Sequence, residues 1–189
     1  MIAQTEPYKS IATAKAGAFS NLAYFQAGWI ACVLGASAGH AWTGISLSLL
    51  ITTAHIVQAG RPSRELALAA TGAALGLLAN SALLASGQLA FAEDGAIAWL
   101  APAWTIALGM LLATTLNVGL RPVRYQPWRA ALLGAIGAPL AYLAGSGLGA
   151  FSLPYPEIGL GLIGLGGMAL LPLLLAMARR WDGMNSLEA

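Results

Sequence analysis

The stretch AWTIALGMLLATTLNVGLRPVR, residues 103–124, repeats an earlier one, AWTGISLSLLITTAHIVQAGRPSR, residues 41–64. Laid without a gap, Ala41-Trp42-Thr43 falls on Ala103-Trp104-Thr105, Leu49-Leu50 on Leu111-Leu112, and Thr52-Thr53 on Thr114-Thr115. The shared Arg-Pro-x-Arg turn follows two residues sooner in the second copy, and the register then returns, with Gly72 on Gly134 and Asn80 on Tyr142. A shared Trp and a shared Thr-Thr pair arise by chance less readily than shared Leu or Ala, so the pattern is that of a duplicated helical hairpin.

Around this repeat the chain is strongly apolar: 58% of its 189 residues are hydrophobic and 8% charged, against roughly a quarter charged in soluble domains. Uncharged runs extend over residues 16–60, 66–92, 95–120, 130–156 and 158–178. A spanning helix needs about 20 apolar residues, so the first run holds two spans and each of the others one. The expected fold is all-α, a polytopic membrane protein of six transmembrane helices with a duplicated parallel hairpin formed by spans 2–3 and 4–5. Residues 1–15 read as a cytoplasmic N-terminal arm, 16–180 as the membrane domain and 181–189 as a cytoplasmic tail. One cysteine, Cys32, excludes a disulfide framework and a cysteine-based zinc site.

Lys9 and Lys15 precede span one, Arg61 and Arg64 follow span two, Arg121, Arg124 and Arg129 follow span four, and Arg179 and Arg180 follow span six. All nine basic residues therefore fall on one side, which places both termini in the cytoplasm. The opposite loop, residues 87–101, carries Glu93 and Asp94 and no base. In this topology the two hairpins point the same way, related by an axis along the membrane normal. The net charge of +2 follows from the loops and implies no nucleic acid.

Helices in lipid associate where small residues let backbones meet. Gly72, Gly76 and Asn80 lie at intervals of four on span three, and its counterpart, span five, carries Gly134, Ala138 and Tyr142 at the matching positions. A second stripe, Gly137, Ala141, Gly145 and Gly149, makes span five the expected central helix. The polar residues within the spans define the candidate ligand-binding interior: Asn21, Gln26, His55, Asn80, Thr114 and Asn117, with Trp29 and Tyr142 beside them. His55 and Asn117 are equivalent in the repeat and are expected to face one another. Intramembrane ionisable groups are functional candidates by default; the plainer alternative for His55 is a hydrogen bond to Asn or Thr on a neighbouring helix. Trp42 and Trp104 suit an interfacial belt, and Arg64-Glu65 a local cap and ion pair, with Glu65 also placed to assist a proton step.

Several chemistries lack their residues. Two histidines, His40 and His55, cannot supply a di-iron site, no Gly-x-Ser-x-Gly elbow or phosphate-cradling loop occurs, and no catalytic residue, metal site or cofactor is assigned.

The combination of Asn21, Phe25-Gln26-x-Gly28-Trp29-x-x-Cys32-Val33-Leu34-Gly35, Arg64-Glu65-Leu66, Ala113-Thr114-Thr115-Leu116-Asn117 and Gly134-Ala135-Ile136-Gly137-x-Pro139-x-x-Tyr142 resembles uncharacterised bacterial inner-membrane proteins catalogued as domain of unknown function 2878. The resemblance spans about residues 19–180. It implies a link to envelope lipid modification or photo-oxidative stress, without catalytic residues. Members often carry an acid near the position of Asn80, where this chain has an amide.

The reading best supported by these residues is an accessory or binding protein that holds a membrane lipid, or a lipid-modifying enzyme, between its repeats. A small-molecule transporter is favoured by the parallel repeat and disfavoured by the lack of intramembrane carboxylates. A membrane enzyme using His55 as acid or base lacks a visible nucleophile or metal, so the balance leans away from catalysis.

Overall fold

The computed structural model describes residues 6–92 and 97–184, with side chains from Gly17 onward. Glu93 and Asp94, and tail residues 185–189, lie outside that set. The described chain is helical: α1 (Glu6–Ser37), α2 (Ala41–Gln58), α3 (Pro62–Ala85), α4 (Ala103–Leu116), α5 (Pro127–Gly147) and α6 (Pro156–Arg180). Two-residue strands β1 (Ala90–Phe91) and β2 (Phe151–Ser152) pair antiparallel. α1 begins at Glu6, so the backbone of residues 6–15 continues the first helix. α3, α5 and α6 are each long and apolar enough to cross a membrane.

Proline sets three of the starts. Pro62, Pro127 and Pro156 each open a helix, where the missing N–H has no intrahelical acceptor to lose. Between α1 and α2, Gly39 turns the chain at φ +70°, a conformation costly for a residue with a Cβ.

α4 ends earlier than its apolar run. Thr114 and Thr115 donate their hydroxyls back to the carbonyls of Leu111 and Leu112, at 2.8 and 2.7 Å, which competes with helix propagation. The chain leaves the helix at Asn117 and crosses a 3-10 turn at Arg121–Val123.

The tightly packed pairs are α1 with α2, α3 with α4, and α5 with α6. Each has a crossing at which a side chain would strike backbone: Gly44 on Ala31 and Cys32, Gly72 on Gly109, and Gly134 on Gly167. Gly72 and Gly134, aligned with one another in the sequence, both meet the helix that follows their own. α2 and α3, by contrast, touch only lightly. The helix with neighbours on all sides is α4, which meets α1, α2, α3 and α6 and buries nine of its 14 residues. α5 is not central: it packs on α6 and exposes Leu132, Leu133, Ile136, Leu140 and Leu143. The second glycine stripe is loose at Gly137, where a Cβ would meet open space, and tight at Gly145, where one would strike the Phe151 ring.

Two apolar clusters close the ends. At the end carrying β1 and β2, the sheet end, Cys32, Val33, Leu89, Trp104 and Phe151 pack together. At the opposite, basic end, Leu68, Leu116, Ala130, Leu174, Leu175 and Ala178 do so. Trp42 is 66% exposed, as an interfacial residue would be, but Trp104 is 3% exposed and stacks on Phe151 at 6.5 Å. The shared Trp thus has two roles: α2 turns that position outward, whereas α4 is surrounded.

Candidate functional site

At the basic end, the ends of α2, α4 and α6 converge on one carboxylate at the start of α3. Glu65 stands in the first turn of α3 and is 2% exposed. His55, in the last turn of α2, donates from Nε2 to Glu65 Oε2 at 3.0 Å. Asn117, at the end of α4 and fully buried, donates from Nδ2 to Glu65 Oε1 at 2.7 Å and to the Trp181 carbonyl at 3.2 Å. The backbone N–H of Gly183, beyond α6, donates to the same Oε1 at 2.8 Å.

The chain of contacts continues through Asn117. Its Oδ1 accepts from Arg124 Nη1 at 2.7 Å, and the same guanidinium nitrogen reaches Asp182 Oδ2 at 2.9 Å. Arg121 approaches Asp182 at 3.5 Å. Arg124 is only 5% exposed, and a cation taken out of solvent needs both a counter-charge and hydrogen-bond acceptors; Asp182 and Asn117 supply them. Glu65, Asn117 and Arg124 thus form a continuous polar path between His55 and the segment after α6. Two polar atoms beside it, Thr52 Oγ1 and Arg124 Nε, are buried without a protein partner.

The residues singled out from sequence distribute unevenly around this centre. His55 and Asn117 are brought together, but through Glu65 rather than in direct contact. Asn21 serves the broken end of α4, donating to the Thr114 carbonyl and accepting from the Gly119 N–H, both at 3.2 Å. Those are groups that a continued helix would have satisfied itself. Thr114 is buried beside it.

Asn80 and Tyr142 form a second, separate contact higher in the bundle. The Tyr142 hydroxyl donates to Asn80 Oδ1 at 2.9 Å, while Asn80 Nδ2 donates to the Gly76 carbonyl of its own helix at 2.8 Å. This bridges α3 and α5, both residues being half-buried. Trp29 belongs to neither group and packs on the sheet-end cluster. Gln26 is a correction: it is exposed on the outer side of α1 and does not join the interior, because the inward positions of that turn are taken by Gly28, whose bare Cα faces Leu111, Ser48 and Ile51.

Sequence reasoning left three members out of the site: Glu65, Arg124 and Asp182. Glu65 reads as a local cap because Arg64 adjoins it, and Arg124 as one of several loop arginines. The available signal was sparsity. The whole chain holds seven acids, and Glu65 and Asp182 are the two among the described residues that fall beside arginines.

Chemically, the His55–Glu65 pair can share or pass a proton. Among the described residues, no group of three or more His, Cys, Asp or Glu could hold a metal ion. Neither a curated protein nor a solved structure matches the chain. The profile of one family, described as "Protein of unknown function (DUF2878)", matches residues 18–173, most of the chain, and the protein belongs to that family.

Proposed function

We propose that the protein spans a bacterial inner membrane six times, with both termini cytoplasmic and two parallel, related hairpins. In this reading it is an accessory or binding protein that holds a lipid-like molecule, or a lipid-modifying enzyme, between its halves. Exposed apolar side chains support the six spans, since they occur on helices other than α3, α5 and α6 as well: Phe19, Ile30 and Leu34 on α1, and Leu49, Leu50 and Val57 on α2. Patches of this extent call for an apolar surrounding. α4, 14 residues long, reaches about 21 Å, short of the roughly 30 Å hydrocarbon layer. Its surroundings are other helices, so its polar ends meet protein rather than lipid.

The observation that carries the binding role is the way α5 and α6 attach to the other four helices. They hold one another far more extensively than they touch α1–α4. Their ties are grouped at the basic end, where Leu174, Leu175 and Ala178 pack with Leu68 and Leu116 and where Asn117 meets Arg124 and Glu65 meets Gly183, and toward the sheet end, through β1–β2 and Tyr142–Asn80. A seam between two bodies, with a half-buried hydroxyl and amide on it, suits an acyl chain with a polar group at one end.

Native mass spectrometry in mild detergent tests this. The expected result is a retained species of lipid mass whose occupancy falls in Tyr142→Phe. A bare protein mass, with no co-purifying lipid or enzyme, would overturn the reading.

A further inference from the structure

Gln26 is the candidate that the sequence places inside and the structure turns outward. It lies on the exposed side of α1, a helix that packs chiefly against α2 and α4. About 15 Å of helix separates it from residue 16, where the uncharged run begins, and from the end of α1 at Ser37. With α1 as the first of the six spans, its side chain stands at the mid-depth of a hydrocarbon layer about 30 Å thick. The amide makes no hydrogen bond to any described residue. A primary amide carries two donors and an acceptor, and hydrocarbon offers a partner to neither.

The neighbours of Gln26 on that face form a seam. Phe19, Ala23, Gln26 and Ile30 are all exposed and follow one another at spacings of four, three and four, the pattern by which two helices wrap left-handedly around each other. Ala23, one turn before Gln26, leaves room for a second backbone, and small residues are what helices in lipid use for close approach. The inner face of the same helix is already occupied: Cys32 and Val33 are buried, and Gly28 lies against side chains of α2 and α4.

We propose that α1 is a homodimer interface in which Gln26 of one protomer pairs with Gln26 of a second copy. Every copy crosses the membrane in the same sense, so a two-fold axis along the membrane normal brings α1 against α1 in parallel. In such a contact a residue on the axis meets its own counterpart. An amide suits that self-contact, since its N–H donates to the other copy's carbonyl while its own carbonyl accepts in return. A carboxylate or an ammonium would repel its copy there. A single polar residue in an apolar seam also fixes the register of the two helices. The pairing rests on α1 being a span, as in the six-span reading above.

Cysteine cross-linking in the membranes of expressing cells tests the face. Oxidation should give a disulfide-linked dimer of this chain in Ala23→Cys and in Ile30→Cys. It should give none in Tyr24→Cys, exposed on α1 but turned about 100° from Ala23, nor in Leu78→Cys and Leu140→Cys, exposed on α3 and α5. The unsubstituted protein, whose Cys32 is buried, is the blank. Energy transfer between terminally labelled copies in vesicles of phosphatidylethanolamine and phosphatidylglycerol measures the share of the amide. Association of Gln26→Leu should be about 3- to 30-fold weaker than wild type, the range of an interhelical hydrogen bond in lipid. Gln26→Asn, which keeps a shorter amide, should fall between the two.

No dimer at either seam position, cross-links on α3 or α5 instead, or equal association of Gln26→Leu and wild type each overturn the interface. A product joining Ala23→Cys to a different protein overturns the homodimer and assigns the face to another partner. A water-soluble maleimide separates this inference from the six-span reading, because Gln26→Cys in intact vesicles should resist it. Labelling there would place α1 outside the lipid and remove both. Protection without cross-links leaves the span and removes the dimer.

Discussion

Glu65→Ala is the most informative single change in this protein. It removes the acceptor of three donors at once: His55 Nε2 at 3.0 Å, Asn117 Nδ2 at 2.7 Å and the Gly183 N–H at 2.8 Å. A buried donor left without a partner costs about 1–3 kcal/mol, although polar contacts between membrane helices average nearer 0.6 kcal/mol. Asn117 keeps the Trp181 carbonyl as an acceptor, so two donors are fully stranded, and the expected loss is about 2–4 kcal/mol. For a domain of this size that corresponds to a fall in Tm of roughly 4–16 °C.

Glu65→Gln should cost much less, about 1 kcal/mol or under. Its remaining oxygen can still accept from Asn117 and Gly183, and its amide can donate to His55 once the imidazole carries its proton on Nδ1. Glu157→Ala, at an exposed acid, is the control and should move stability by no more than about 0.5 kcal/mol. The assay is thermal unfolding in detergent. A cycle of His55→Ala, Asn117→Ala and the double variant should show coupling of about 0.6–2 kcal/mol, which vanishes when Glu65 is alanine because the carboxylate joins the two. If Glu65→Ala unfolded no earlier than Glu157→Ala, or the coupling survived without Glu65, the description of the site would be refuted.

Two further outcomes follow from packing and charge. Gly72→Leu and Gly134→Leu should each lower folded yield in detergent well below Gly137→Leu and Gly161→Leu, because the first pair would drive a side chain into the backbone of the facing helix while the second pair meets open space; equal yields would mean the crossings are not tight. A topology reporter fused after Arg180 should behave as cytoplasmic and one inserted near Gly95 as periplasmic, and the reverse at either site would remove the six-span arrangement.

Much of this molecule is written locally. Long uncharged runs bounded by charged residues and proline mark out six helices, and the observed elements lie within those runs or extend them by a few residues, except that α1 starts well before its run, at Glu6. The Arg-Pro-x-Arg turns fall where α2 and α4 have ended. His55 and Asn117, which fall on one another when the two stretches are aligned, both meet Glu65. Asn80 and Tyr142, likewise matched, meet each other.

What the sequence alone could not decide is which helix the others surround and which charges the centre contains. Small-residue stripes occur on α5 as plainly as on α3, but a stripe states only that close approach is permitted. Whether a partner takes that approach depends on how all six helices share their faces, and α4 takes the middle while the Gly137 side of α5 remains open. Trp104 is buried and Trp42 exposed for the same reason. Arg124 and Asp182 look like ordinary residues of a loop and a tail because charge is expected outside the membrane. Their burial arises from long-range juxtaposition: α4 stops short at Asn117, the space beneath it is filled by Arg124 and the segment after α6, and a cation enclosed there must bring its own acid.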